Sequence, residues 1–154
     1  MAPIHTVLMG IGNPRQGDDG VGPWLADRLQ APGWLSLNCD TVPENFTAVV
    51  RRHTPARLLL VDAADMRLPA GTTRRILPEH LRAAGLGTHQ AALQCLVNYL
   101  HDAAGEIIFI GIQPASLYDG QELSTVARAA AEQVLQLART NRLREIPAWE
   151  PALR

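Results

Sequence analysis

Three short polar segments carry side chains whose types and spacing suit chemistry: Gly17-Asp18-Asp19-Gly20, Asp62-Ala63-Ala64-Asp65 and Thr88-His89. Taken singly, each has an ordinary structural explanation. A carboxylate in a first helical turn gains about 0.3–1 kcal/mol from the helix dipole, and one aspartate would serve for that. Two adjacent aspartates between glycines exceed what a cap needs, and they repel each other. Asp62 could cap the turn that follows its strand, and His89 could be a structural histidine in a first turn N-capped by Thr88. Taken together, Asp19, Asp62 and His89 make a better case. Two carboxylates and an imidazole, with no thiolate, suit an intermediate divalent metal such as nickel, zinc or manganese. Three ligands leave positions open for substrate or water. A helix N-terminus also disfavours the imidazolium, and the neutral ring is the form that ligates metal. Asp18 and Asp65 are expected to orient loops and cap helices.

Such a constellation needs a fold that brings separate loops together. Apolar β-rich runs alternate with helical patterns throughout the chain, which points to an α/β fold. Thr6 to Ile11 reads as a first strand ending in the turn Gly12-Asn13-Pro14, followed by a helix from about Gly20 to Leu29. Trp34 to Cys39 reads as a second strand. Thr41-Val42-Pro43-Glu44 resembles a capping box opening a helix that carries Phe46, Val49 and Val50. Leu58-Leu59-Leu60-Val61 is a continuous apolar run, as expected of a central strand covered on both faces. An edge strand at Thr72 to Ile76 and a short helix near Glu79 to Ala84 follow. His89 to His101 has helical periodicity, Ile107 to Gly111 is the next buried strand, and Ser124 to Arg139 the last helix. The expected architecture is a single domain over residues 1–154, a three-layer α/β/α sandwich with a mostly parallel sheet of about five strands. The tail after Ile146 is expected to be irregular. In such sheets ligands bind beyond the carboxyl ends of the strands, where all three polar segments fall.

His101 cannot join His89, because twelve residues along a helix span about 18 Å. His5, His53 and His80 have no matching partners and read as surface or structural residues.

Composition narrows the function classes. The 154 residues are 47% apolar and 19% charged, with a formal net charge of −1. This is an ordinary globular balance with no basic run, so nucleic acid is not an expected partner. The two cysteines, Cys39 and Cys95, fit neither a disulfide framework nor a zinc pattern. No signal peptide and no apolar run long enough for membrane insertion is evident, so a cytoplasmic location is expected.

The first turn also admits a phosphate-binding alternative. Gly10-x-Gly12 begins a dinucleotide fingerprint, but Arg15 stands where its third glycine belongs. Paired aspartates at the helix N-terminus would repel pyrophosphate where that fold needs bare amides. Asp40, ending the second strand, could play the ribose-binding acid. A non-catalytic metal- or nucleotide-binding module remains the alternative class. Such a module would not need Asp19, Asp62 and His89 together.

Gly10-Ile11-Gly12-Asn13 with Gly17-Asp18-Asp19-Gly20-Val21-Gly22-Pro23 resembles the opening motif of the nickel–iron hydrogenase maturation proteases. The resemblance continues through Val42-Pro43-Glu44-Asn45, Leu60-Val61-Asp62-Ala63-Ala64-Asp65-Met66, Thr88-His89 and Ile108-Phe109-Ile110-Gly111-Ile112-Gln113-Pro114. Pro-Glu-Asn, Val-Asp-x-x-Asp-Met and Gly-Ile-Gln-Pro point to the hydrogenase 3 maturation endopeptidase branch. Each motif alone is weak; the ordered set is specific. The resemblance implies an α/β/α endopeptidase that removes a C-terminal extension from the nickel-loaded precursor of a hydrogenase large subunit. It implies that Asp19, Asp62 and His89 contact nickel carried by the substrate, with zinc, cadmium or another divalent ion substituting in the isolated protein. Glu44 and Gln113 would shape the substrate groove. One departure is Asp40, where many relatives carry glycine, so that turn is expected to differ and Asp40 to stand as a third carboxylate at the pocket edge. Gly10-Ile11-Gly12-Asn13-Pro14 is also similar to the start of peptidyl-tRNA hydrolase. That family's following Arg-His-Asn segment is replaced here by Asp18-Asp19-Gly20, and the chain lacks a basic tRNA-binding patch.

Overall fold

The computed structural model describes residues 3–87 and 90–152. The strands are β1 (Thr6–Ile11), β2 (Trp34–Asp40), β3 (Arg57–Ala63), β4 (Thr73–Ile76) and β5 (Glu106–Ile112). The helices are α1 (Val21–Arg28), α2 (Thr47–His53), α3 (Gln90–Leu100) and α4 (Thr125–Arg139). The strands form one sheet in the order β2-β1-β3-β5-β4. β4 runs antiparallel to β5, and the other neighbours are parallel.

Side-chain alternation along the central strands divides the core in two. Val7, Met9, Leu58 and Leu60 face one side, where Val50 of α2 and Leu93, Leu96, Val97 and Leu100 of α3 cover them. Leu8, Leu59, Val61, Ile108 and Ile110 face the other, against Val21 and Leu25 of α1 and Ala131 and Val134 of α4. Both faces of β1 and β3 are therefore dry, which explains their unbroken apolar runs. Glycine sets the distance between α1 and the sheet. A Cβ on Gly10 would lie 2.2 Å from the carbonyl oxygen of Gly22, and one on Gly22 would lie 2.5 Å from that of Val61. The N-terminus of α1 thus sits directly on β1 and β3, and the segment before it is held over the strand ends.

Two local expectations are corrected. Thr41 to Glu44 forms no capping box: a 3-10 turn (Pro43–Phe46) precedes α2, and neither it nor α2 has a side-chain cap. The chain enters the 3-10 turn at Pro43, whose fixed φ suits a first helical position, and no side chain caps it. The helix expected near Glu79 to Ala84 is only a 3-10 turn, Pro78–His80. There the chain is drawn away by an antiparallel bridge between Gly85 and Asp65, with N–H···O distances of 2.8 and 2.9 Å. The tail is irregular as expected, yet it is pinned. The Arg75 amide donates to the Pro147 carbonyl (2.9 Å) and the Trp149 amide to that of Arg75 (2.7 Å). Trp149 is buried beneath it, so the tail covers part of the β4 edge. Among the described residues, no helix is long and apolar enough to cross a membrane.

Candidate functional site

The connection after β1 leads toward β2, whereas the chain leaving β3 moves toward β4 and β5. The carboxyl ends of β1 and β3 therefore flank the crevice where an open α/β sheet binds ligands. Two of the predicted ligands are built into it. Asp62 is the penultimate residue of β3 and has no exposed surface. Asp19 lies in a 3-10 turn (Gly17–Gly20) between β1 and α1, where its Oδ2 accepts the Asn13 amide at 2.8 Å.

Gly12 connects the two. Its φ is +140°, a conformation that favours glycine, and its amide donates to the Asp40 carbonyl at 2.8 Å. A Cβ there would stand 1.8 Å from the Asp19 carbonyl oxygen and 3.4 Å from Oδ1 of Asp62. The glycine thus lets the Asp19 turn close over the end of β1 beside the buried carboxylate.

Asp18 points elsewhere and is structural, as expected. It is 1% exposed; its Oδ1 accepts the Ser124 amide at 2.7 Å, and its Oδ2 accepts the Ala115 amide and the Ser124 hydroxyl, each at 2.8 Å. One buried carboxylate thereby joins the Asp19 turn to the loop after β5 and to the cap of α4. Asp65 is also an organiser. Its Oδ1 accepts the Arg67 amide at 3.0 Å and the Gln113 side-chain amide at 3.1 Å, and those bonds hold its carboxyl below the usual range. The Oε1 of Gln113 accepts the amides of Met66 (2.6 Å) and Leu68 (3.3 Å), so Gln113 orders the loop leaving β3 rather than lining a groove. Asp40 has φ of +50°, a left-handed conformation that glycine adopts freely and aspartate more readily than most residues. The turn therefore keeps the backbone shape a glycine would give it. The Asp40 side chain is exposed and is not among the described residues lining the cleft below.

A cleft of about 230 Å³ opens over the crevice, lined by Asp19, Ala63 and Asp65 together with Gly85, Gly87 and Leu117. Leu117 and the Gly85-Leu86-Gly87 segment were not singled out by sequence; a Gly-Leu-Gly run just before Thr88-His89 is the signal that could have marked that lining. Thr88 and His89 themselves lie outside the described residues. Among the described residues, no three His, Cys, Asp or Glu side chains are grouped to hold a metal ion. A larger cleft of about 310 Å³ lies between β4 and α4, lined by Thr73, Gln133 and Leu137. It stands at the sheet edge away from Asp19 and Asp62, and the chemistry points to the smaller one.

Comparison with known proteins agrees with this fold. A family model described as hydrogenase maturation protease matches residues 23–141. The hydrogenase 3 maturation protease of Escherichia coli strain K12 is 37% identical over 134 residues, covering 84% of this chain and 86% of the relative. The solution structure of the endopeptidase HycI from Escherichia coli superposes with a TM-score of 0.85 at 30% identity, covering 98% of this chain and all of that one (100%). The crystal structure of a [NiFe] hydrogenase maturation protease from Thermococcus kodakarensis gives a TM-score of 0.78 at 29% identity, covering 91% and 92%.

Proposed function

The chain belongs to the hydrogenase maturation proteases and is a hydrolase, and on that premise we propose that it removes a C-terminal extension from the nickel-loaded precursor of a nickel–iron hydrogenase large subunit. The observation that carries this reading is the pairing of Asp19 and the fully buried Asp62 around Gly12, at the crevice between β1 and β3. Asp62 stands at the carboxyl end of a central strand, where an open α/β sheet binds ligands. A surface capping aspartate would not need to be there.

In this reading Asp19, Asp62 and His89 hold nickel that arrives with the substrate, which places the bond to be cut over the cleft. A divalent ion at such a site polarises a peptide carbonyl or activates water for hydrolysis. Asp19 is held by the Asn13 amide, so its other oxygen is oriented without moving the turn. The narrow cleft suits an extended chain rather than a folded domain. The protein works on a soluble precursor in the cytoplasm, without nucleic acid or membrane insertion.

The test is to incubate the protein with nickel-loaded and nickel-free precursor and record intact masses. Loss of a C-terminal peptide from the loaded form alone supports the reading. Equal trimming of both forms would remove metal recognition from it, and no trimming of a cognate loaded precursor would overturn it.

A further inference from the structure

The loop after β5 departs from what its position calls for. Turns at a strand end are ordinarily polar, yet this one exposes Leu117 (51% exposed) and Tyr118 (74%) side by side. Among the described residues, the other exposed large apolar side chains are Val42, Tyr99 and Val126. Val42 follows β2 at one edge of the sheet, and Val126 lies in the first turn of α4 against Gly71, toward the other edge, so Leu117 and Tyr118 are the adjacent pair. Tyr99 lies at the far end of α3.

The loop is also anchored on both sides by hydrogen bonds. Ser116 accepts the Asp18 amide through its carbonyl at 2.9 Å, and its hydroxyl donates to Gln121 Oε1 at 2.6 Å. The Gly120 amide donates to the Arg15 carbonyl at 2.6 Å, and Gly17 donates to the Gln121 carbonyl at 3.2 Å. A preorganised loop presenting a tyrosine loses little entropy when it is covered, and aromatic side chains of this kind are typical interface anchors.

We propose that Leu117 and Tyr118 are the docking platform for the precursor polypeptide, receiving an apolar or aromatic side chain close to the bond that is cut. The inference rests on the proposed cutting of a precursor at this crevice. It selects the precursor over a second copy of this chain because Leu117 is also a wall of the Asp19 cleft. A chain threaded through that cleft meets Leu117 directly, whereas a second copy seated there would close the cleft.

The test is binding of labelled nickel-loaded precursor to the full chain with its crevice aspartates intact, followed by rapid mixing before cleavage, with Leu117→Ala and Tyr118→Ala added singly and together. The double variant is expected to weaken binding about tenfold or more. Tyr99→Ala is expected to leave it unchanged, with all melting temperatures within error of each other. Unchanged affinity in the double variant overturns the proposal. So does a dimer, seen by sedimentation, that the double variant dissolves while precursor affinity stays constant. The two readings fail separately. If the protein cuts precursor but its affinity ignores these substitutions, only the platform falls. If it binds precursor through the loop without ever cutting it, only the protease reading falls. Absence of any precursor binding overturns both.

Discussion

A Cβ on Gly12 would stand 3.4 Å from Oδ1 of Asp62 and 1.8 Å from the carbonyl oxygen of Asp19, so the crevice closes only because residue 12 has no side chain. Gly12→Ala must therefore displace the Asp19 turn as well as strain a backbone at φ +140°. The expected loss of stability is about 2 kcal/mol or more, with cleavage falling further than the loss of folded protein explains. Urea denaturation beside a cleavage assay checks both parts.

Adjacent aspartates should behave oppositely. Asp18→Ala strips three hydrogen bonds from a buried carboxylate and frees the cap of α4, so it should cost roughly 3 kcal/mol of stability. Asp19→Asn keeps a side-chain oxygen for the Asn13 amide, so its melting temperature should stay near wild type while cleavage is lost. Thermal melts and intact-mass assays of the two variants would separate the roles; the reverse pattern would refute the assignment.

How much of this was legible in the residues depends on how local each signal is. The strands, α1 and α4 follow from apolar periodicity, and Ser124 caps α4 through its hydroxyl as its position suggests. Asp18 was separable from Asp19 only as a preference, because its partners Ala115 and Ser124 lie about a hundred residues away in the chain. Gln113 carries no local mark of its role, since the amides it accepts belong to the loop after β3. The capping box failed for the opposite reason: a short pattern matched, but the chain there forms a 3-10 turn with no side-chain cap. Leu117 looks like any loop leucine until the fold brings it to the wall of the Asp19 cleft.

Asp65 should shape the acid limb of stability. Its folded carboxyl titrates below the ordinary 3.8 because Gln113 and the Arg67 amide favour the charged form. The corresponding stability is present above 3.8 and is lost as pH falls through the lowered value. Asp65→Asn should therefore unfold with a shallower pH dependence below about pH 4. The difference should be small, since the side chain is exposed and screened. Acid titration of wild type and variant by circular dichroism measures it.

The two thiols should differ sharply in reactivity. Burial, reinforced by Glu44, pushes the Cys39 thiol up to about 12, whereas Cys95 is exposed. Because the thiolate is the reactive form, Cys39 stays protonated and shielded at neutral pH. A disulfide reagent should titrate one thiol in the native protein and the second only on unfolding. Rapid native labelling of both would contradict the packing of β2 against the sheet.

The most direct measurement of the central claim is cleavage of nickel-loaded large-subunit precursor by Asp62→Asn, followed by intact mass, with circular dichroism confirming the fold. The account predicts a folded variant that leaves the precursor at full length while wild type shortens it. Wild-type cleavage by the folded variant would contradict the assignment of the crevice between β1 and β3 as the working site.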